Sequence, residues 1–168
     1  MTARSVAAST PTARRRELSA ADGLAQLSFL IYDTLERQAA VHELSIIQTR
    51  LLGVLRDRRP TMNELAKFLA LDKSSVTGLV DRAERRGLVA RVPSTADRRA
   101  VLVSLTDAGR SVASQVSARF EADIAALLDP LSPSARKTLS GLVSRLLAAH
   151  AVGQGVDLFA TIEAEASR

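Results

Sequence analysis

The stretch Asp72–Arg110, DKSSVTGLVDRAERRGLVARVPSTADRRAVLVSLTDAGR, determines how the rest of the chain is interpreted. Its first part predicts a helix with small polar residues on one side and apolar residues on the other. Gly87 ends this helix, and two short β-branched runs follow, separated by a loop that contains Asp97–Arg99. A helix that presents short polar side chains, followed by a basic β-hairpin, is typical of a winged helix-turn-helix that reads DNA.

The predicted helix after Asp72 has a single apolar stripe. Val76, Leu79, Val80 and Ala83 fall at i, i+3, i+4 and i+7, the spacing of one helix face. The opposite face then presents Ser74, Ser75, Thr77, Gly78, Asp81 and Arg82. Hydroxyl groups bond to bases or phosphates, and a helix fits the major groove of B-DNA, which is about 12 Å wide. We interpret this face as a candidate recognition surface; the alternative is a solvated amphipathic helix.

The two β-branched runs, Leu88 to Val92 and Val101 to Leu105, predict a hairpin with a charged tip. Arg98 and Arg99 lie at this tip, where an arginine can enter the narrow and strongly negative minor groove. The role that we predict for Asp97 is to orient an arginine through a charge-assisted pair. A solvated charged turn is the alternative.

Capping residues predict further helices on both sides of this stretch. The predicted N-caps are Ser45, Asp72, Thr61, Thr106 and Ser132. Thr61 and Glu64 fit a capping box at the start of a short helix. That short helix and the helix after Asp72 are joined by a tight turn, which is the helix-turn-helix arrangement.

In order and spacing these motifs resemble the MarR family of bacterial transcription regulators, over roughly residues 20–150. The matching segments are Asp72–Thr77, Asp81–Arg82, Arg86–Val89, Asp97–Arg99, Leu102–Val103, Leu105–Thr106 and Gly109–Arg110. The resemblance implies a mainly α fold with a small β-hairpin wing, whose N- and C-terminal helices form a dimerisation layer. It also implies a homodimer that binds a pseudo-palindromic operator in double-stranded DNA, as a repressor released by a ligand.

The resemblance further implies roles for single residues. Arg99 is the expected minor-groove arginine, and Asp97 is its positioning partner. The expected DNA contacts are Lys73, Ser74, Ser75, Thr77, Gly78, Arg82, Arg91, Asp97, Arg98 and Arg99. Gly78 departs from the family pattern, because relatives often carry a longer polar or basic side chain there.

The ligands of the resembling family are typically small phenolic or aromatic anions, held between the dimerisation layer and the DNA-binding lobe. The candidate ligand contacts in the matching region are Tyr32, His42, Gln48 and Arg50. Core-edge packing for Tyr32, a loop position for His42 and a surface salt bridge for Arg50 are the alternatives.

The predicted organisation is one domain between two tails. Residues 1–17 form a basic N-terminal tail that we expect to be disordered, with a transit peptide as the alternative, and residues 154–168 form a C-terminal tail. Residues 18–153 form the domain, with the winged helix-turn-helix at about 45–105. The dimerisation helices span about 18–40 and 106–153.

Composition narrows the function classes. The 168 residues carry a formal net charge of +5, which favours an anionic partner, and they include no cysteine, which excludes thiol redox switches and cysteine metal sites. No run approaches the ~20 apolar residues of a membrane-spanning helix. No nucleophile–base pair or phosphate-binding glycine loop is evident, so we expect a cytoplasmic, non-enzymatic protein without cofactor or metal. The alternative to a DNA-binding regulator is a winged-helix protein-interaction module without DNA binding.

Overall fold

The computed structural model describes residues 17–94 and 100–153. Apart from Glu17, the predicted tails lie outside these ranges, and so does the wing triplet Asp97–Arg99. The described elements are α1 (Ala20–Ala40), α2 (Ile46–Arg56), α3 (Met62–Leu69), α4 (Lys73–Arg85), β1 (Val89–Pro93), β2 (Val101–Leu105), α5 (Asp107–Leu128) and α6 (Pro133–Gly153). The fold is therefore mainly α with one two-stranded antiparallel hairpin, as predicted.

The predicted N-caps are confirmed at the helix starts. Ser45 and Thr61 each form a full capping box, with Gln48 and Glu64 respectively. The side chains of Asp72 and Thr106 accept hydrogen bonds from the third residue of α4 and α5. Ser132 accepts one from the backbone of Ala135. Each cap satisfies a backbone N–H that has no partner inside its own helix.

Two element boundaries differ from the prediction by one or two residues. The first helix begins at Ala20 rather than Leu18, because Ser19 caps it by accepting from the backbone of Asp22. The first strand is Val89–Pro93, since the Leu88 carbonyl bonds to Thr106 instead of to the other strand. The predicted end of the last dimerisation helix at residue 153 agrees with α6, whose last residue is Gly153.

The core lies in the lobe formed by α2, α3, α4 and the hairpin. Its fully buried large side chains are Leu51, Leu65, Leu69, Leu79, Val76, Val80, Val89 and Val103. The hairpin pairs Val89 with Leu105 and Arg91 with Val103. The turn before α3 adds to this sheet, because Val103 donates its N–H to the Pro60 carbonyl.

A close junction attaches α5 to the lobe. Thr106 donates its backbone N–H to the Leu88 carbonyl and its hydroxyl to the Gly87 carbonyl. The hydroxyl oxygen of Thr106 also accepts a hydrogen bond from the backbone N–H of Gly109. A Cβ placed on Gly109 would lie 1.9 Å from the Leu88 oxygen, so only glycine allows α5 to approach the hairpin this closely.

The outer helices α1 and α6 leave much apolar surface uncovered. The large apolar side chains that are exposed on them are Leu24, Leu27, Phe29, Leu30, Ile31, Tyr32, Leu142, Val143, Leu146, Leu147 and Val152. On α5, Phe120 and Ile124 are half-buried, since α5 packs against α1 and α2. Within the described residues no helix is both long enough and apolar enough to cross a membrane.

Candidate nucleic-acid interface

The α4 helix separates its two faces as the sequence predicts. Val76, Leu79, Val80 and Ala83 are buried in the lobe core. The predicted contacts Lys73, Ser74, Ser75, Thr77 and Arg82 are exposed, and Gly78 is half-exposed. The apolar stripe thus fixes the helix on the lobe and turns the short polar side chains outward.

Asp72 organises the first turn of α4. Its carboxylate accepts hydrogen bonds from the hydroxyls of Ser74 and Ser75, both at 2.6 Å, and from the backbone N–H of Ser75 at 2.9 Å. The Ser74 and Ser75 hydroxyls lower the pKa of Asp72 well below its ordinary value, with the Ser75 backbone N–H adding to the effect. The serine hydroxyls are held in place before any ligand arrives, at the end of the helix that favours anions.

Arg91 joins the hairpin to the recognition helix. From β1, its guanidinium reaches back to α4, where Nη2 lies 2.6 Å from Oδ1 of Asp81 and Nη1 is paired with the carboxylate of Glu84. The hydrogen bond that Arg91 donates to Asp81 is the main cause of the raised pKa of Arg91. The Arg91 charge is therefore neutralised within the protein, although the sequence placed Arg91 among the DNA contacts.

Arg82 is held differently from Arg91. Its guanidinium lies over the backbone of Gly78, where a Cβ would be 3.3 Å from Nη1. In the described part of the chain it has no hydrogen bond or ion pair, so its charge faces solvent. The other predicted wing contacts, Asp97, Arg98 and Arg99, lie outside the described residues.

A cavity of about 200 Å³ lies between α1, α2 and α5. Its lining consists of Leu35, Leu44, Thr49, Arg50, Leu52, Gly53, Arg56, Ala113, Val116, Ser117 and Phe120. Arg56 is fixed there by Asp57 and by the Ser117 hydroxyl, at 2.7 Å, and the hydrogen bond to Asp57 is the main cause of its raised pKa. Arg50 is exposed at the same cavity and, among the described residues, has no ion pair.

Comparison with known proteins shows which family this chain is similar to. The family model described as the MarR family matches residues 42–100. The HTH-type transcriptional repressor NicR of Pseudomonas putida is 37% identical over 103 residues, which are 61% of this chain and 56% of that protein. Over the matched residues this chain is similar to the MarR family of transcriptional regulators.

Solved structures of regulators share the fold. Wild-type MarR from E. coli is 25% identical with a TM-score of 0.64, over 79% of this chain and 99% of that one. NadR, solved in complex with 4-hydroxyphenylacetate, shares the fold at 22% identity and a TM-score of 0.65, over 82% of this chain and 97% of that one. The chain spans about half the length of the first curated relatives that it matches. Those relatives are transcriptional regulators rather than enzymes.

Of the four ligand contacts predicted from the MarR resemblance, Arg50 alone lines the cavity. Gln48 is used in the α2 capping box, where its Oε1 accepts from the Ser45 backbone N–H at 2.9 Å. Tyr32 is exposed on α1. The Nε2 atom of His42 is buried and has no hydrogen-bond partner among the described residues. The cavity itself is lined by different polar groups, Arg56, Thr49 and Ser117, which no local pattern singles out.

Sequence reasoning missed Arg86, which links α4 to the turn between α1 and α2. Its two terminal nitrogens donate to the carbonyls of His42 and Glu43, at 2.9 and 2.8 Å. Glu43 adopts a positive φ of 54°, so its turn is tightly bent. The partner acids of Arg91 were also missed as partners, although the spacing of Asp81 and Glu84 places both on neighbouring turns of α4. Both pairings join residues that are distant in the sequence or lie on different elements.

Proposed function

We propose that this protein is a dimeric, sequence-specific DNA-binding transcriptional regulator, a repressor that a small aromatic anion releases from its operator. The observation that carries the proposal is the outward polar face of α4, held by a fully buried apolar stripe and attached to the wing by Arg91. A protein-interaction module has no need for this combination of exposed hydroxyls and an unpaired Arg82.

The dimer follows from the uncovered apolar surface of α1 and α6. Leu24 and Leu146 are 58% and 63% exposed, a degree that is costly when many such side chains are adjacent. A second copy of the chain would cover both helices. Two-fold symmetry would then present two α4 helices to successive major grooves, about 34–36 Å apart, which requires a pseudo-palindromic operator.

The proposed DNA contacts divide into two groups. Lys73, Ser74, Ser75, Thr77, Gly78 and Arg82 contact the major groove or its phosphates from α4, and Arg98 and Arg99 contact DNA from the wing. We assign Arg91 to positioning, because its guanidinium is already bound by two carboxylates. Each ion pair between Arg91 and α4 fixes the angle at which the wing leaves the recognition helix.

The proposed effector occupies the cavity between α1, α2 and α5. Its walls are mostly apolar, and Arg50 and Arg56 supply positive charge at its edge. A cavity of about 200 Å³ accommodates one aromatic ring with a carboxylate. The complex of NadR with 4-hydroxyphenylacetate supports this class of ligand, since NadR shares the fold.

Titration of duplex DNA tests the proposed function. We would select a duplex from a randomised library with the full chain and measure its affinity against salt, in the presence of competitor DNA. We expect the logarithm of affinity to fall by about 0.9 per contacted phosphate for each tenfold increase in salt. Arg82→Ala and Lys73→Ala should weaken binding, whereas Arg119→Ala on α5 removes the same charge outside α1, α4 and α6 and should not. No selected duplex, or a flat salt dependence, would favour the protein-interaction module.

The wing assignment has its own test. Arg99→Ala should weaken operator binding strongly while the melting temperature stays unchanged. Asp97→Ala should also weaken binding, although it removes a negative charge near DNA, because Arg99 loses its orienting partner. The double variant should then be little worse than Arg99→Ala. Tighter binding by Asp97→Ala would contradict the orienting role.

The effector assignment is tested with 4-hydroxyphenylacetate as the probe. We expect it to release the protein from the selected duplex at a concentration that Arg50→Ala raises. A matched control is Arg119→Ala, an arginine of α5 that does not line the cavity. Release that is equally effective in Arg50→Ala would contradict the role of this cavity.

A further inference from the structure

Gly78 lies in the middle of the exposed face of α4, between Ser74 one helical turn before it and Arg82 one turn after it. At 100° per residue these three positions fall on one side of the helix, opposite the buried stripe. Gly78 carries no side chain, so the helix backbone itself forms the surface at this position.

The Arg82 guanidinium occupies the space that Gly78 leaves. A Cβ on Gly78 would lie 3.3 Å from Nη1 of Arg82, closer than ordinary van der Waals contact. Long side chains on a helix lean towards its N-terminus, which directs Arg82 over Gly78. A Cβ at this position therefore requires the guanidinium to shift by a few tenths of an ångström, and a longer side chain would compete with it for the same space.

Arg82 is available to a ligand because its neighbouring acids are engaged elsewhere. Asp81 and Glu84 are bound to Arg91, with Nη2 of Arg91 lying 2.6 Å from Oδ1 of Asp81. Arg82 itself has no ion pair within residues 17–94 and 100–153. Arg91 of the hairpin thus occupies the two carboxylates that could otherwise pair with the outward-facing guanidinium of Arg82.

We propose that Gly78 and Arg82 form one specificity determinant, in which Gly78 makes room for the Arg82 guanidinium to lie flat on α4 and read a guanine. A guanidinium in the major groove donates two parallel hydrogen bonds to O6 and N7 of guanine. The missing Cβ also lets the helix backbone approach the base edges closely. This proposal rests on the proposed DNA binding and specifies which pair of residues reads one position of each half-site.

The test measures affinity for every single-base variant of a duplex that the wild-type chain selects from a randomised library. We expect wild type to prefer guanine at one position in each half-site by about 5- to 150-fold, the range for a bidentate pair. Arg82→Ala and Gly78→Leu should each abolish this preference and leave the preferences at other positions unchanged. Gly78→Ala, which adds only the Cβ, should reduce it in part.

Two controls separate specificity from folding and from charge. Gly78→Ala should raise the melting temperature, since alanine favours a helix over glycine, so its loss of specificity cannot arise from unfolding. Arg119→Ala removes an exposed arginine of α5 and should keep the guanine preference. In the Arg82→Ala background, Gly78→Leu should change nothing further at that base pair, because both act through one contact.

The proposal would be overturned if Gly78→Leu left the guanine preference unchanged. It would also be overturned if Gly78→Leu had the same effect on that base pair in the wild-type and Arg82→Ala backgrounds. A loss of affinity that is uniform over all sequences in Arg82→Ala would assign Arg82 to a phosphate and overturn it as well. None of these results would contradict the proposed DNA binding itself. Failure of the wild-type chain to select any duplex would instead contradict the proposed function, and this inference with it.

Discussion

The lobe and the outer helices of this protein differ in how far their apolar side chains are buried. In the lobe Leu51, Leu65 and Val76 are fully buried. On α1 and α6, leucines of the same size are about half exposed, and the contacts between α6 and the remaining described elements are sparse. The lobe therefore has its own core, whereas the outer helices need another surface.

This difference separates two kinds of stability. Burial within one chain stabilises the fold at any protein concentration, because the contacts are intramolecular. Burial of apolar surface between two chains stabilises only the associated state, so its contribution depends on the protein concentration. The candidate DNA-binding lobe rests on the first kind and the proposed operator spacing on the second.

The largest expected effects come from removing one leucine from each region. Leu65→Ala empties a fully buried site and should cost about 2–5 kcal/mol of unfolding free energy at every concentration. Leu146→Ala should change the stability of the single chain by about 0.5 kcal/mol or less, because Leu146 is 63% exposed. It should instead raise the dissociation constant of the dimer.

Denaturant unfolding and light scattering over a range of concentrations distinguish the two cases. Equal destabilisation by both changes at all concentrations would remove the distinction between the regions. A dimer constant that Leu146→Ala leaves unaltered would remove α6 from the dimer interface.

The same glycine-to-alanine change should have opposite signs at the lobe junction and on α6. Gly109→Ala directs a methyl group into the Leu88 carbonyl, 1.9 Å away, and should destabilise the fold by about 1–3 kcal/mol. At Gly141 nothing lies within 4 Å of an added Cβ, so alanine should stabilise α6 by up to about 1 kcal/mol. Thermal unfolding measures both, and a shift of the same sign would contradict the close approach at Gly109.

Local signals in the sequence predicted most of the helices and which face of α4 is exposed. The capping pair Thr61 and Glu64 and the apolar pair Val76 and Leu79 each join residues three positions apart. Such local pairs predict a helix and its buried face without knowledge of the tertiary structure. The Arg91 pairing and the Arg86 contacts could not be predicted, since they depend on how the hairpin and the α1–α2 turn meet α4. Three of the four predicted ligand residues lie away from the cavity for the same reason: a cavity is a property of packed helices.

Arg91 and Arg82 were both predicted to contact DNA, but substituting them should affect the salt dependence of operator binding differently. This effect should be smaller than those above. Arg91→Met breaks a half-exposed ion-pair network and should cost about 0–1 kcal/mol of stability. It should weaken operator binding while keeping the salt dependence, because the Arg91 charge does not contact phosphate. A phosphate-contacting residue would reduce the salt slope by about one per contact. A reduced slope in Arg91→Met would return Arg91 to the DNA contacts that the sequence predicts.

The smallest expected effect concerns the pH dependence of the α4 cap. The serine hydroxyls hold the pKa of Asp72 below its ordinary value of 3.8, so the folded state favours the ionised carboxylate. This stabilisation is complete above the ordinary pKa and disappears as the pH falls through the lowered one. Asp72→Asn keeps a capping oxygen but does not titrate, so it should be less stable than wild type at neutral pH. The gap in melting temperature should narrow in acid below the ordinary carboxyl pKa. A constant gap over that range would show that the Asp72 charge contributes nothing and that only cap geometry matters.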